Sequence, residues 1–166
     1  MSAWIFQGNP KRFDVNQYLL QHYHREPEEL TWIVPPRSRI QGGDRAFMWR
    51  SDGPVRASGG LIAIGRVVAG PEFVPDDSPE LWAPNEVHAT QMAWHVRIRF
   101  EELRLRPDQG MLLRVDLEKD PVLPRLQILR YRAVTVSLVS DAEERELMQR
   151  WTARRPSNAP GTKVQS

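Results

Sequence analysis

Gly59-Gly60-Leu61-Ile62-Ala63-Ile64-Gly65-Arg66-Val67-Val68-Ala69-Gly70-Pro71 decides the fold class. The run is apolar and β-prone, and glycine interrupts it too often for a helix. It therefore predicts a central strand, with Gly65 at a bulge or a close backbone approach. Just upstream, Arg45-Ala46-Phe47-Met48-Trp49-Arg50 predicts a partner strand, turned by Ser51-Asp52-Gly53-Pro54. Further out, Trp4-Ile5-Phe6-Gln7 predicts a short opening strand closed by Gly8-Asn9-Pro10. A helix follows, capped by Asp14, with Val15, Tyr18, Leu19 and His22 near one face.

Downstream, Phe73 to Gln91 holds three prolines and predicts a long surface loop around Trp82. Alternation returns in Ala93–Phe100, which predicts a half-buried strand with Trp94, Val96, Ile98 and Phe100 on its inner face. Met111–Leu117 and Tyr131–Val139 are further strand candidates. Ser140-Asp141-Ala142-Glu143 predicts a capping box opening a last helix, in which Leu147, Met148 and Trp151 pack inward. Several short strands with flanking helices make an α+β domain, either a small β-barrel or a highly curved mixed sheet. The domain is expected over residues 1–152, with 153–166 a disordered tail or linker.

Composition narrows the function. The chain has 166 residues, no cysteine and 40% hydrophobic residues, enough for one domain with its own core. Without cysteine there are no disulfides, thiolate nucleophiles or Cys-bound metals, which suits a reducing cytoplasm. No apolar run is long enough to span a bilayer, and the first residues lack the pattern of a signal peptide. The net charge is +2, with basic residues concentrated in the tail and in Trp32–Arg66, which carries Arg37, Arg39, Arg45, Arg50, Arg56 and Arg66. Val67–Val96 has five acids and neither Lys nor Arg.

The motifs for nucleophilic hydrolysis, nucleotide binding and metal proteolysis are all missing. His22 and His24 would point about 200° apart on a helix, which suits solvated side chains better than a metal pair. His88 and His95 straddle the acidic loop and could meet an Asp there. Asp76-Asp77 and Glu101-Glu102 read as solvated charge. The six tryptophans say more. Trp4, Trp94 and Trp151 read as core. Trp49 shares a strand face with Phe47 and could line either a pocket or the core. Trp32 and Trp82 sit in irregular contexts, as loop anchors or, if they converge on one cleft, as the walls of a stacking slot.

In order and spacing, Trp4–Pro10, Tyr18, Trp32, Gly43-Asp44 before Phe47-Met48-Trp49-Arg50, and Gly60–Val67 together resemble an EVE domain. That family belongs to the PUA-like group, alongside YTH and ASCH domains. The stretch from Val68 through Trp82 to Trp94-His95-Val96-Arg97 is similar to YTH domains. The resemblance covers residues 3–150 and implies a PUA-like fold and a reader of modified bases. Its ligand would be a modified cytosine, such as 5-methyl- or 5-hydroxymethylcytosine, or a methyladenine, flipped from DNA rather than RNA into an aromatic pocket.

Carried over by position, Trp32 and Trp82 are the expected cage walls, Trp49 a third wall, and Gln7 and Asn9 the polar contacts to the base edge. The Gln7-Gly8-Asn9-Pro10 turn departs from the Lys-Ser-Glu/Asn-Pro-like turn common in the family. Arg37, Arg39, Arg50, Lys11 and Arg12 are the nearest candidates for phosphate. No cofactor, metal or catalysis is expected. The resemblance also suggests the sensor of a modification-dependent restriction system, with an HNH-type nuclease fused or associated, since the chain has no such pattern itself. The alternatives are an ASCH-like hydrolase of nucleosides or RNA and a protein-interaction module.

Overall fold

The computed structural model describes residues 1–23, 29–86 and 91–154. Seven strands and four helices follow one another as β1 (Ala3–Gly8), α1 (Val15–Tyr23), β2 (Leu30–Ile33), β3 (Arg45–Arg50), β4 (Gly60–Pro75), β5 (Met92–Leu103), β6 (Leu112–Leu113), α2 (Arg114–Leu117), α3 (Gln127–Arg130), β7 (Val136–Val139) and α4 (Asp141–Ala153). The main sheet runs β2-β5-β4-β3-β1-β7, and β6 pairs with β4. β1 and β3 are parallel and the other pairings antiparallel. β2 and β7 are the two ends of this path and do not pair with each other. The fold is thus the mixed-sheet form of the α+β expectation, not the closed barrel.

Both faces of the sheet are covered, so its inner strands read as continuous apolar runs. Adjacent residues point to opposite sides. Phe6, Met48 and Ile62 join a core shared with Tyr18 and Leu19 of α1, while Ile5, Phe47 and Leu61 join a second core with Ile128, Leu147 and Trp151. β4 is the central strand, and its Gly65 makes the anticipated close approach. A Cβ there would lie 2.1 Å from the Arg99 carbonyl oxygen, next to a bulge between Ile64 and Gly65.

Asp14 caps α1 by accepting from Gln17 N at 3.1 Å. The Ser140 capping box forms both of its bonds, at 3.2 and 3.0 Å, and Leu147 and Trp151 are buried with Met148 packed beside them.

The structure corrects several expectations. β4 extends through Pro75, so the expected loop loses Phe73–Pro75 to the sheet. Three irregularities between β4 and β5 reset the alternation there. As a result Trp94 is exposed against Phe73, with ring centroids 5.5 Å apart, and its neighbour His95 is buried. Trp32 lies on β2, a strand the sequence did not signal. Met111–Leu117 divides into the two-residue β6 and α2. In Tyr131–Val139 only Val136–Val139 is strand; just before it, Gln7 Nε2 donates to the carbonyls of Arg132 and Val134. The expected domain boundary at 152 falls one residue before the end of α4, and residues 155–166 lie outside those described.

Candidate functional site

The turn after β1, the helix α1, the strand β2 and the Asp76–Trp82 segment converge on a cavity of about 730 Å³, within the range of small-molecule sites. Trp32 and Trp82 both line it, as do Gln7 and Asn9. Phe13, which no sequence pattern singled out, links the two indoles. Its ring centroid is 5.8 Å from Trp32 and 4.8 Å from Trp82. Backbone bonds fasten the two chain segments together, from Asp14 N to the Leu81 carbonyl at 2.9 Å and from Ala83 N to the Arg12 carbonyl at 2.8 Å.

Gly8 admits the other indole. A Cβ at that position would sit 3.1 Å from Trp32 Cη2 and 2.4 Å from Val15 Cγ2, so only a glycine lets β2 and α1 close this tightly against the turn. Trp32 is 6% exposed, so little of its indole is open to the cavity. Trp82 is half-buried.

Asp76 anchors Trp82. One of its carboxylate oxygens accepts from Ser78 N at 2.8 Å and the other from Trp82 Nε1 at 3.0 Å. His95 approaches the latter oxygen, with Nε2 at 4.0 Å, and its Nδ1 lies 2.9 Å from the Ala93 carbonyl oxygen. That contact places the imidazole proton on Nδ1 in the neutral ring. The expected meeting of a histidine with an Asp is therefore made by His95, while His88 lies outside the described residues.

Asp77 faces Tyr18, whose hydroxyl is 3.0 Å from both carboxylate oxygens and 2.7 Å from the Thr31 carbonyl oxygen, and accepts from Thr31 N at 3.1 Å. Burial, together with the Asp77 charge, pushes the Tyr18 hydroxyl far above its ordinary pKa. It therefore remains a donor. Asp76 and Asp77 both line the cavity; Asp76 is largely buried, contrary to its reading as solvated charge, while Asp77 remains exposed. His22, also expected to face water, is half-buried with Nε2 3.9 Å from Asp77; His24 lies outside the described residues. The signal in the sequence was the Asp-Asp pair itself, but which way it faced depended on the unforeseen extension of β4.

The polar candidates are partly committed. Gln7 Nε2 donates to the Arg132 and Val134 carbonyls at 2.9 and 2.7 Å, leaving Oε1 as its available group. Asn9 Oδ1 accepts from Lys11 N at 3.0 Å, leaving the Nδ2 donor. Thr31 also lines the cavity, and its buried hydroxyl oxygen has no hydrogen-bond partner among the described residues.

Trp49 borders the cavity from the second core with 1% of its surface exposed. Its shared face with Phe47 points toward the helices, so it offers no ring for stacking as a third wall. Arg50 is likewise turned inward. Its guanidinium donates to Asn16 Oδ1 at 2.8 Å and to the carbonyls of Leu105 and Ser58 at 3.0 and 3.2 Å, and burial lowers its pKa. Those bonds remove it from the phosphate candidates. Arg12 lines the cavity but pairs with Glu86 through two bonds, at 3.0 and 2.9 Å.

Lys11 is exposed at the cavity and carries no ion pair among the described residues. Arg37 and Arg39 are exposed in the β2–β3 connection, Arg37 with a left-handed φ of 64° two residues after the cavity-lining Pro35. Among the described residues, no group of three His, Asp or Glu side chains could hold a metal ion, and no helix is long and apolar enough to cross a membrane.

No protein-family model matches the chain, and no curated protein matches it. Solved structures do. Human THYN1 in complex with 5-methylcytosine-containing DNA superposes with a TM-score of 0.61 at 11% identity, over 96% of this chain and all of that one. A hypothetical protein from Leishmania major gives 0.63 at 14%, over 92% and 96% of the two chains. A protein from Pseudomonas syringae gives 0.62 at 16%, over 90% and 99%. At these identities the likeness establishes a common α+β fold across nearly the whole chain.

Proposed function

We propose that this chain is a binding module of the EVE type, which takes up a single modified base of DNA and performs no chemistry on it. The observation that carries the reading is the cavity itself, large enough for a nucleobase, with Trp32 and Trp82 both on its wall and held through Phe13. Human THYN1, which shares the fold, is described in complex with 5-methylcytosine-containing DNA. That supports a modified cytosine as ligand here, either 5-methyl- or 5-hydroxymethylcytosine, with methyladenine the other candidate.

Flipping a base out of a duplex costs a few kcal/mol, and stacking on an aromatic ring returns about 1–3 kcal/mol per ring. Trp82 supplies most of that stack, since little of Trp32 is exposed. The Asn9 Nδ2 donor and the Gln7 Oε1 acceptor then read the base edge, since a buried amide left unpaired costs roughly 1–3 kcal/mol. Lys11, Arg37 and Arg39 are the cations left for phosphate, with Arg12 available only by breaking its pair with Glu86. Asp76 serves as an anchor for Trp82, so no catalytic step is assigned to its approach to His95. A nuclease, of HNH type in the restriction reading, would be supplied by a partner or a fused segment.

The test is a titration of wild type and Trp82→Ala with duplexes carrying one 5-methylcytosine, 5-hydroxymethylcytosine, N6-methyladenine or unmodified base. The reading expects one modified duplex to bind at least about tenfold tighter than the unmodified one, with the preference lost in Trp82→Ala. Equal affinity for all duplexes overturns it.

A further inference from the structure

We propose that the cavity selects a methylated base that carries a positive charge. The inference rests on the reading above, that a nucleobase enters here, and adds the charge class of that base. Its basis is a pair of carboxylates on the Asp76–Trp82 side of the cavity. Asp76 and Asp77 both line the cavity, with side chains 12% and 34% exposed. Among the described residues neither has a Lys or Arg within ion-pair distance. Among the described residues, their ionisable neighbours of basic type are His95 at 4.0 Å and His22 at 3.9 Å, which counter the charge only when protonated.

The hydrogen bonds they accept come from neutral groups, the Trp82 indole, the Ser78 amide and the Tyr18 hydroxyl. Lys11, Arg12, Arg114 and Arg132 also line the cavity, and among the described residues none of them forms a salt bridge with either carboxylate; Lys11 and Arg132 are exposed. The Arg12 guanidinium is held by Glu86, and that of Arg114 by Glu118 and the carbonyls of Ile128 and Leu129.

Two partly buried carboxylates without a counter-cation, beside the rings of Phe13, Tyr18 and Trp82, make an environment that favours a cation twice over. The carboxylates attract it, Asp76 from a largely buried position and Asp77 from a more exposed one that water screens, and the ring faces attract it through their quadrupoles. Methylation at cytosine N3 or adenine N1 creates such a cation on the pairing edge of the base. The same methyl group blocks Watson–Crick pairing, so the base is already free and the cost of flipping falls. A 5-methylcytosine is neutral and gains nothing from the two acids.

The experiment uses single-stranded oligonucleotides identical except at one position, which holds N3-methylcytosine, N1-methyladenine, 5-methylcytosine or cytosine. Affinities are measured by fluorescence anisotropy with wild type, Asp77→Asn and Trp82→Ala. Asn at 77 keeps an acceptor for Tyr18 while removing the charge, and a thermal melt checks that each variant is folded. Wild type is expected to bind N3-methylcytosine and N1-methyladenine about tenfold or more tighter than 5-methylcytosine, and Asp77→Asn to lower that ratio by about threefold or more.

A wild type that binds 5-methylcytosine as tightly as the cationic bases overturns the charge inference, as does a ratio unchanged in Asp77→Asn. If 5-methylcytosine is then still preferred over cytosine, and the preference is lost in Trp82→Ala, the base-binding reading stands alone. No preference among the four oligonucleotides removes both.

Discussion

Replacing Gly8 with alanine tests how the turn after β1 sets the position of Trp32. The added Cβ would lie 2.4 Å from Val15 Cγ2 and 3.1 and 3.3 Å from Trp32 Cη2 and Cζ2. Val15 and Trp32 are both buried, at 1% and 6% exposure, so neither can swing into solvent. Relief must come from moving α1 or the indole, an overpacking cost of about 1–3 kcal/mol. For a domain of this size that is a fall in melting temperature of roughly 2–12 °C, since each kcal/mol is worth about 2–4 °C.

The structure also names the relieving substitution. Val15→Ala deletes the methyl that clashes, at its own cost in buried surface, so Gly8→Ala should cost less in a Val15→Ala background than alone. Urea unfolding of the four proteins in the cycle is expected to give a favourable coupling of about 1 kcal/mol or more. Additivity within about 0.5 kcal/mol would refute the contact between turn and helix as the source of the strain.

Two other sites give independent checks. Asp120 is fully buried and accepts from Val122 N, Leu123 N and the Arg150 guanidinium; although burial opposes it, these bonds and that of Glu146 hold its pKa below the ordinary value. A depressed carboxylate gives stability that is complete above its unfolded pKa, about 3.9, and is lost as the pH falls below that through the folded value. Asp120→Asn should therefore be less stable than wild type at neutral pH, with the gap narrowing as urea midpoints are followed from pH 5 to pH 2. A constant gap would contradict the assignment. Arg104 is 5% exposed, donates to the Gly110 and Trp151 carbonyls at 3.1 and 2.7 Å, and lies 4.0 Å over the Trp151 ring. Arg104→Met strands both carbonyls and should cost about 2–4 kcal/mol in urea unfolding; a loss under about 1 kcal/mol would count against that network.

The parts of this molecule legible in its sequence are those set by local chemistry. Ser140 and Glu143 lie three apart, which is all a capping box needs, and Gly65 of β4 marks where Arg99 passes close. The strand β2 was missed because Leu30–Ile33 is only four residues long and is stabilised by pairing with β5, from which 58 residues separate it. Trp94 and His95 exchanged their expected environments because bulges between β4 and β5 shift the register, and a bulge depends on both strands at once.

At the site, Trp32, Trp82, Gln7 and Asn9 were found by resemblance, and all four line one cavity. Phe13 was not found. A phenylalanine after two basic residues in a turn carries no sign that two distant indoles will pack against it. Arg50 could not be told from a surface arginine because its acceptors, Asn16 and the carbonyls of Ser58 and Leu105, are scattered along the chain.

The indole N–H resonances of the six tryptophans test most directly whether a modified base enters this cavity. Titration with a 5-methylcytosine or N3-methylcytosine oligonucleotide should shift or broaden the signals of Trp82 and Trp32, with assignments taken from single Trp→Phe variants. Those of Trp4, bonded to Asp44 at 2.9 Å, and of Trp151, buried in the second core, should stay in place. Saturable binding that leaves Trp82 and Trp32 unmoved would contradict the cavity as the base site.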